Sequence, residues 1–374
     1  MFNRKIKRRR NGLIEIINGF LTLLVLGLIA VAGLFVYGAN SFYAVTDTKE
    51  EMIFQVQRGN GLATISQRLE AAGIISNRWI FQIGTRSQKK ERAIKAGEYR
   101  IAKGSSMADV LLELTEGTPI TYAVTIPEGF TSWQVVERMN KDDNLEGEIV
   151  AVPTEGTLMP DTYVYERGDD RAKILEIMKV VQERELAEIW ESRNPDIPIQ
   201  TPEDLVILAS IVEKETGIAE ERPEVAAVFI NRLNRGMRLQ TDPTVIYGIT
   251  LGKGSLGRGL KRSEIEAETP YNTYVIKGLP VGPIANPGRE SMRAVANPAE
   301  TNALYFVAAG ANPSQGHLFA ATYAEHRKNV AKYRKAVKEA AAAAAAEEET
   351  EAEAARDALE AEQAAAAGEE VAAE

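Results

Sequence analysis

The densest chemistry in this chain lies between residues 201 and 248. Leu205-Val-Ile-Leu-Ala-Ser-Ile-Val-Glu-Lys-Glu-Thr216 is a mostly apolar run that ends on two acids, Glu213 and Glu215. Leu205, Leu208, Ala209, Val212 and Thr216 share one side of a helix at about 100° per residue, which puts Glu213 and Glu215 at roughly +80° and −80° from that stripe. An acid flanking the buried face at the end of a helix is disfavoured as an anion by desolvation and by the negative end of the helix dipole. Both effects favour a carboxyl that stays protonated near neutral pH, as a general acid requires. The competing reading is a solvated Glu-Lys-Glu run paired with Arg222 or Arg232. Helical geometry does not choose between the two acids.

Polar and aromatic groups follow closely. A glycan cleft needs amides, hydroxyls and aromatic faces on shaped loops, and Gln240, Thr241, Tyr247, Tyr271, Asn272 and Tyr274 supply them. The alternative is that they serve turns and the core. The two histidines, His317 and His326, and the absence of cysteine exclude thiol nucleophiles, thiolate zinc sites and any site of several histidines. No metal is expected.

These residues need elements to hold them. Thr201, Pro202 and the acids Glu203 and Asp204 open the acid-bearing helix, and Gly217 is expected to stop it. A second helix runs from Pro223 to Leu233 and ends by Gly236. Asp242 and Pro243 read as cap and first position of a third. Upstream, a strand running into a glycine recurs at Phe54–Gly59, Tyr99–Gly104 and Val124–Gly129, each time followed by helix-spaced apolar residues. Residues 51–103 read as strand, helix, helix, strand. That pattern resembles a LysM-type glycan-binding module, and equally suits a small α/β packing domain. Residues 154–165 form a loop leading to a strand, and 172–192 an amphipathic helix. Leu304–Val307 is a further strand.

The ends differ from the body. The net charge is 44 − 53 = −9. Residues 1–10 contribute six cations, and residues 341–374 eleven acids against Arg356 alone. A nucleic-acid binder would need a basic face that the remainder lacks. Ile16–Tyr37 is an apolar run whose 22 residues span roughly 33 Å as a helix, enough to cross a bilayer. The basic cluster before it places the N-terminus on the cytoplasmic side and residues beyond 40 outside. The run is too long for a signal-peptide core of about 7–15 residues, so a retained anchor is expected, followed by a short linker over 39–50. The Ala/Glu stretch from about 338 reads as solvated, helical or disordered.

Leu208-Ala-Ser-Ile-Val-Glu-Lys-Glu-Thr216, Phe229-Ile-Asn-Arg-Leu233, Met237-Arg-Leu-Gln-Thr-Asp-Pro-Thr-Val-Ile-Tyr-Gly248, Tyr271-Asn-Thr-Tyr274, Gly278-Leu-Pro280 and Gly316-His-Leu-Phe319 together resemble the MltG (YceG-like) family. The Glu155–Tyr163 loop fits as well. That family comprises endolytic murein transglycosylases anchored in the inner membrane by one N-terminal helix. The resemblance covers roughly residues 50–335, leaves out the Ala/Glu tail, and implies that Glu215, the second acid of Glu-Lys-Glu-Thr, is catalytic. Glu213, Asn231 and Asp242 then join the glycan-cleft residues as substrate-binding candidates.

The expected architecture is α+β: a cytoplasmic tail over 1–12, a transmembrane helix over 13–38, a LysM-like module over 39–120, a mixed catalytic domain with a helical acid-bearing core over 121–337, and the tail over 338–374. The resemblance implies cofactor-free cleavage of the β-1,4 bond from N-acetylmuramic acid to N-acetylglucosamine in peptidoglycan strands, giving 1,6-anhydro ends, with penicillin-binding synthases as partners. A hydrolytic muramidase and an inactive membrane-anchored glycan-binding scaffold are the alternatives. A pyridoxal-phosphate lyase of aminodeoxychorismate type is disfavoured by the exported domain.

Overall fold

The computed structural model describes residues 12–48 and 50–372, so the basic cluster at 4–10 lies outside the described residues. The fold mixes helices with three two-stranded sheets among the described residues, and the chain divides into two compact units.

The first unit holds the chain up to Ala123, with Asn144–Glu146 and Val164–Asp169. Helix α1 (Gly12–Tyr43) contains a 31-residue stretch, Leu13–Tyr43, long and apolar enough to cross a membrane, and its large side chains are exposed from Leu13 to Tyr37. Its last turn behaves differently. Phe42 is buried against Phe81, and its ring lies where a side chain on Gly84 would have to sit. The Thr46 hydroxyl donates to the Ser105 carbonyl at 2.6 Å, and the Gly104 N–H donates to the Thr48 hydroxyl at 2.7 Å. The expected linker is therefore tied down by packing and hydrogen bonds.

Strand β1 (Met52–Val56), α2 (Leu62–Ala71), α3 (Arg78–Ser87) and β2 (Gly97–Ile101) follow in the order read from the sequence. β1 and β2 pair antiparallel, Met52 opposite Ile101 and Val56 opposite Gly97. Asn77 caps α3, its side chain accepting from the Trp79 and Ile80 N–H groups. Helix α4 (Met107–Glu116) starts on a Ser106–Asp109 capping box. Phe54, Leu69, Phe81, Tyr99, Leu111 and Leu114 fill the core between these elements. β3 (Thr121–Thr125) and β4 (Thr162–Glu166) form the second strand pair.

The second unit holds α5 (Ser132–Asn140), α6 (Arg171–Glu191), α7 (Pro202–Glu215), α8 (Arg222–Asn234), α9 (Asp242–Thr250), α10 (Arg262–Ile265) and α11 (Arg289–Ala296). β5 (Tyr305–Ala308) pairs antiparallel with β6 (His317–Ala320), and α12 (Tyr323–Ala372) closes the described chain. The sequence suggests that α7 buries one stripe. In fact Leu205 to Val212 are all buried, because α6, α8, α9 and α11 surround the helix. A central helix has no solvent face, so its charged residues appear only at its ends: Glu203 and Asp204 in the first turn, and Glu213–Glu215 in the last.

Candidate active site

Helix α7 is fixed at both ends. Thr201 and Asp204 exchange hydrogen bonds at 3.1 Å in a capping box. At the far end Gly217 is not the left-handed stop the sequence suggests. Thr216 turns extended instead, at φ −138° and ψ 133°, and its hydroxyl accepts the Ile218 N–H at 3.1 Å. A β-branched residue that bonds its own turn ends the helix without a glycine.

The two acids leave the helix toward different partners. The Glu213 side chain, 6% exposed, accepts from Arg222 at 3.3 Å and from the Gly288 N–H at 3.0 Å. Arg222 also donates to Glu128 at 2.9 Å. Burial and the neighbouring Glu213 charge push the Glu128 carboxyl above its ordinary range. Any side chain at Gly288 would overlap the Glu128 carboxylate. The ion pair with Arg222 that a charge run would make is thus made by Glu213.

Glu215 instead accepts a hydrogen bond from the Thr241 hydroxyl. Thr241, not Asp242, is the N-cap of α9, one residue earlier than the sequence suggests. Its hydroxyl caps no backbone N–H, because it points to Glu215. Desolvation raises the Glu215 pKa, and the Asp242 charge adds to that. The Thr241 hydrogen bond and the fields of His317 and Arg232 oppose the rise without cancelling it.

Around this acid the sequence candidates fall into two groups. Asp242 accepts the Tyr274 hydroxyl at 2.6 Å. Gln240 is exposed in a left-handed conformation, φ 51°, with its N–H on the Thr273 carbonyl. Tyr247 and Tyr271 pack ring on ring at 5.0 Å, and Lys214, Pro243 and Tyr247 line a cleft of ≈ 400 Å³ together with Thr131, Gln134 and Arg258. The volume suits part of a polar chain substrate. Asn231 and Asn272 face inward. The Asn231 amide donates to the Thr301 and Ala303 carbonyls at 2.8 and 3.0 Å. That of Asn272, fully buried, donates to the carbonyls of Glu264, Ile265 and Ala267.

Sequence reading left three further acids without a role. Glu155 accepts from the Ser132 N–H at 2.7 Å, the Tyr247 hydroxyl at 3.1 Å and the Asn286 amide at 3.2 Å, and burial raises its pKa despite them. Glu221 holds both the N–H and Nδ1 of His317, at 2.7 and 2.8 Å. Glu128 is the third. No local signal marks them: Glu128 and Glu155 stand just before a glycine, but so do Glu116 and Glu146.

A half-buried acid at the mouth of a central helix narrows the field without naming a family. The model of the YceG-like family matches residues 54–332. The chain belongs to the YceG-like family. Among similar proteins of this family, an endolytic murein transglycosylase of Bacillus subtilis is 28% identical over 336 residues, spanning 81% of this chain and 91% of that protein. One of Streptococcus pneumoniae is 27% identical over 365 residues, spanning 83% of this chain and 64% of the relative. A 2.6 Å crystal structure of a protein described as YceG-like, from Listeria monocytogenes, is 27% identical. It aligns over 75% of this chain and 99% of its own with a TM-score of 0.45.

Proposed function

We propose that this YceG-like chain is an endolytic murein transglycosylase whose general acid is Glu215. The observation that carries the assignment is the state of that carboxyl: it is desolvated, its pKa is raised, and it is held by one hydroxyl rather than by a cation. Such a group donates a proton near neutral pH and takes one back afterwards.

Protonated Glu215 gives its proton to the glycosidic oxygen, and the bond from that oxygen to C1 of N-acetylmuramic acid breaks. The positive charge that develops at C1 is shielded by the sugar's own acetamido group. Glu215, now a carboxylate, takes the proton from the muramic 6-hydroxyl, and that oxygen bonds to C1 to close the 1,6-anhydro ring. No water enters and Glu215 ends protonated, so the cycle needs one carboxyl where hydrolytic glycosidases use two. Thr241 keeps the carboxylate half of the cycle accessible by donating to it.

Gln240, Asp242, Tyr247, Tyr271 and Tyr274 contact the glycan in this reading. Glu213 braces the cleft through Arg222 and Gly288, and Asn231 and Asn272 support it from behind by holding backbone carbonyls. The strand-helix-helix-strand order of β1 to β2 supports a LysM-like glycan-holding module up to about residue 120, ahead of a catalytic domain over 121–337. Helix α1 anchors the chain in the inner membrane with its N-terminus cytoplasmic, and the sites beyond it face the newly made glycan. Penicillin-binding synthases are the partners at that place.

The test is digestion of purified peptidoglycan by the full-length protein and by Glu215→Gln, with the products weighed. Anhydro-ended muropeptides from the wild type alone are expected. Hydrated ends would make it a muramidase. Equal activity in both forms would remove Glu215 from the chemistry, and inactivity of both would favour a glycan-binding scaffold.

A further inference from the structure

Helix α3 carries an apolar pair that the fold leaves uncovered. Trp79 and Ile83, one helical turn apart on the same face, are 60% and 65% exposed. Phe81, Gln82 and Thr85, on the other side, are buried. A helix inside a small module has no folding reason to expose a tryptophan and an isoleucine side by side.

The height of α3 is set by α1. The apolar run ends at Tyr37, and Phe42, whose ring lies on Gly84 of α3, comes five residues later in the same continuous helix. At about 1.5 Å per residue α3 therefore meets α1 roughly 7–8 Å beyond the end of the apolar run. A bilayer's headgroup layer is about 5–7 Å deep on each side of the hydrocarbon. A helix about 10 Å across, held at that level, reaches the lipid interface. Tyr43 and Val45 are also exposed at the exit of α1.

The surrounding charge suits one kind of surface. Arg78, Arg86, Lys89, Lys90 and Arg92 lie within residues 78–92, and the acids they meet are Glu70, Glu91 and Glu116. The patch stays positive after these pairs, and the Arg78 guanidinium lies 5.1 Å from the centre of the Trp79 ring. Tryptophan with flanking arginine and lysine is the composition that settles at an anionic headgroup layer.

We infer that α3 lies on the membrane surface, with Trp79 and Ile83 in the acyl-headgroup boundary and the cations among acidic phospholipid headgroups. The module is then held to the bilayer at a second point besides its span. This inference rests on α1 spanning the membrane, as the proposed function has it.

The chain has no cysteine, so single labels are unambiguous. The full-length protein, as Ile83→Cys, Leu28→Cys or Val150→Cys, each carrying a nitrobenzoxadiazole label, is placed in phosphatidylcholine vesicles with and without phosphatidylglycerol. Acyl-brominated phosphatidylcholine is the quencher. Leu28 reports insertion of α1, and Val150, 86% exposed, reports water. The Ile83 label is expected to quench at least about threefold more than the Val150 label, as an interfacial group does. Adding phosphatidylglycerol strengthens that quenching, and Trp79→Ser in the Ile83→Cys background weakens it. Quenching at Leu28 with none at Ile83 would overturn the inference and leave the span intact. Loss of quenching at Leu28 would overturn both. An Ile83 label shielded from aqueous iodide yet unquenched by lipid would assign the face to a protein partner and overturn the inference too.

Discussion

Replacing Thr241 by valine removes one hydroxyl and leaves the shape of the side chain. That hydroxyl donates to Glu215, so it stabilises the carboxylate and not the acid. A hydrogen bond to a charged group contributes about 1.5–3 kcal/mol. One pKa unit corresponds to about 1.4 kcal/mol. The Glu215 pKa in Thr241→Val should therefore rise by roughly one to two units above its already raised value. Glycosidic cleavage needs the protonated acid, so the alkaline limb of kcat/KM moves to higher pH by that amount. Thr241→Ser, which keeps the hydroxyl, leaves the limb in place. Below the wild-type Glu215 pKa folding changes little, because the hydroxyl caps no N–H of α9 and the usual cap loss of about 1 kcal/mol does not apply; above it the lost hydrogen bond to the carboxylate costs stability by linkage. The assay is the release of anhydro-muropeptides across pH, read by mass, beside a thermal melt. An alkaline limb that stays put or moves to lower pH in Thr241→Val would refute the assignment of this hydrogen bond to the working acid.

The same carboxyl makes stability depend on pH. Its folded pKa is raised above the unfolded value, so folding is favoured below the unfolded pKa and loses stability as pH rises toward the folded one. Glu215→Gln should melt higher than wild type at neutral pH, and the difference should vanish near pH 4, as scanning calorimetry would show. Arg222→Met strands the Glu213 carboxylate, and a loss of about 3–5 kcal/mol in denaturant unfolding is expected; Arg222→Met with Glu213→Met should recover most of it. Asn272→Ala leaves three part-buried carbonyls without their donor and should cost about 1–3 kcal/mol. Gln240→Ala, at an exposed residue, should leave unfolding unchanged.

The helices of the second unit were legible because their signals are local. Thr201, Pro202 and Asp204 mark the start of α7 within one turn, and Gly236 closes α8. What the α7 sequence hides is its central place: an apolar run shows one preferred face, whereas the number of helices packed around it depends on residues 80 positions away. The shift of the α9 cap from Asp242 to Thr241 has the same origin. Thr241 and Asp242 are both cap-competent and look alike until the carboxylate 26 positions upstream takes the Thr241 hydroxyl. Asn272 and Asn231 read as cleft residues because an amide shows no direction in sequence, and long-range packing turns both inward. Glu155, Glu128 and Glu221 escaped for the complementary reason. Each is an unremarkable surface-type residue whose partners, such as Ser132, Asn286, Arg222 and His317, come from distant segments.

The buried Phe42 makes α1 a shaft rather than a leash. Its ring keys the last turn of the helix into α3 and the core of the first unit, so the rotational phase of the apolar helix is also that of the module it carries. A flexible tether would ignore an extra residue. Here, one alanine inserted between Tyr37 and Phe42 turns the module by about 100° about the axis of α1 relative to the apolar run, and four alanines turn it by only about 40° while moving it roughly 6 Å along that axis. The number of residues between the apolar run and the module is thus an angular setting, and neighbouring lengths of α1 are not interchangeable.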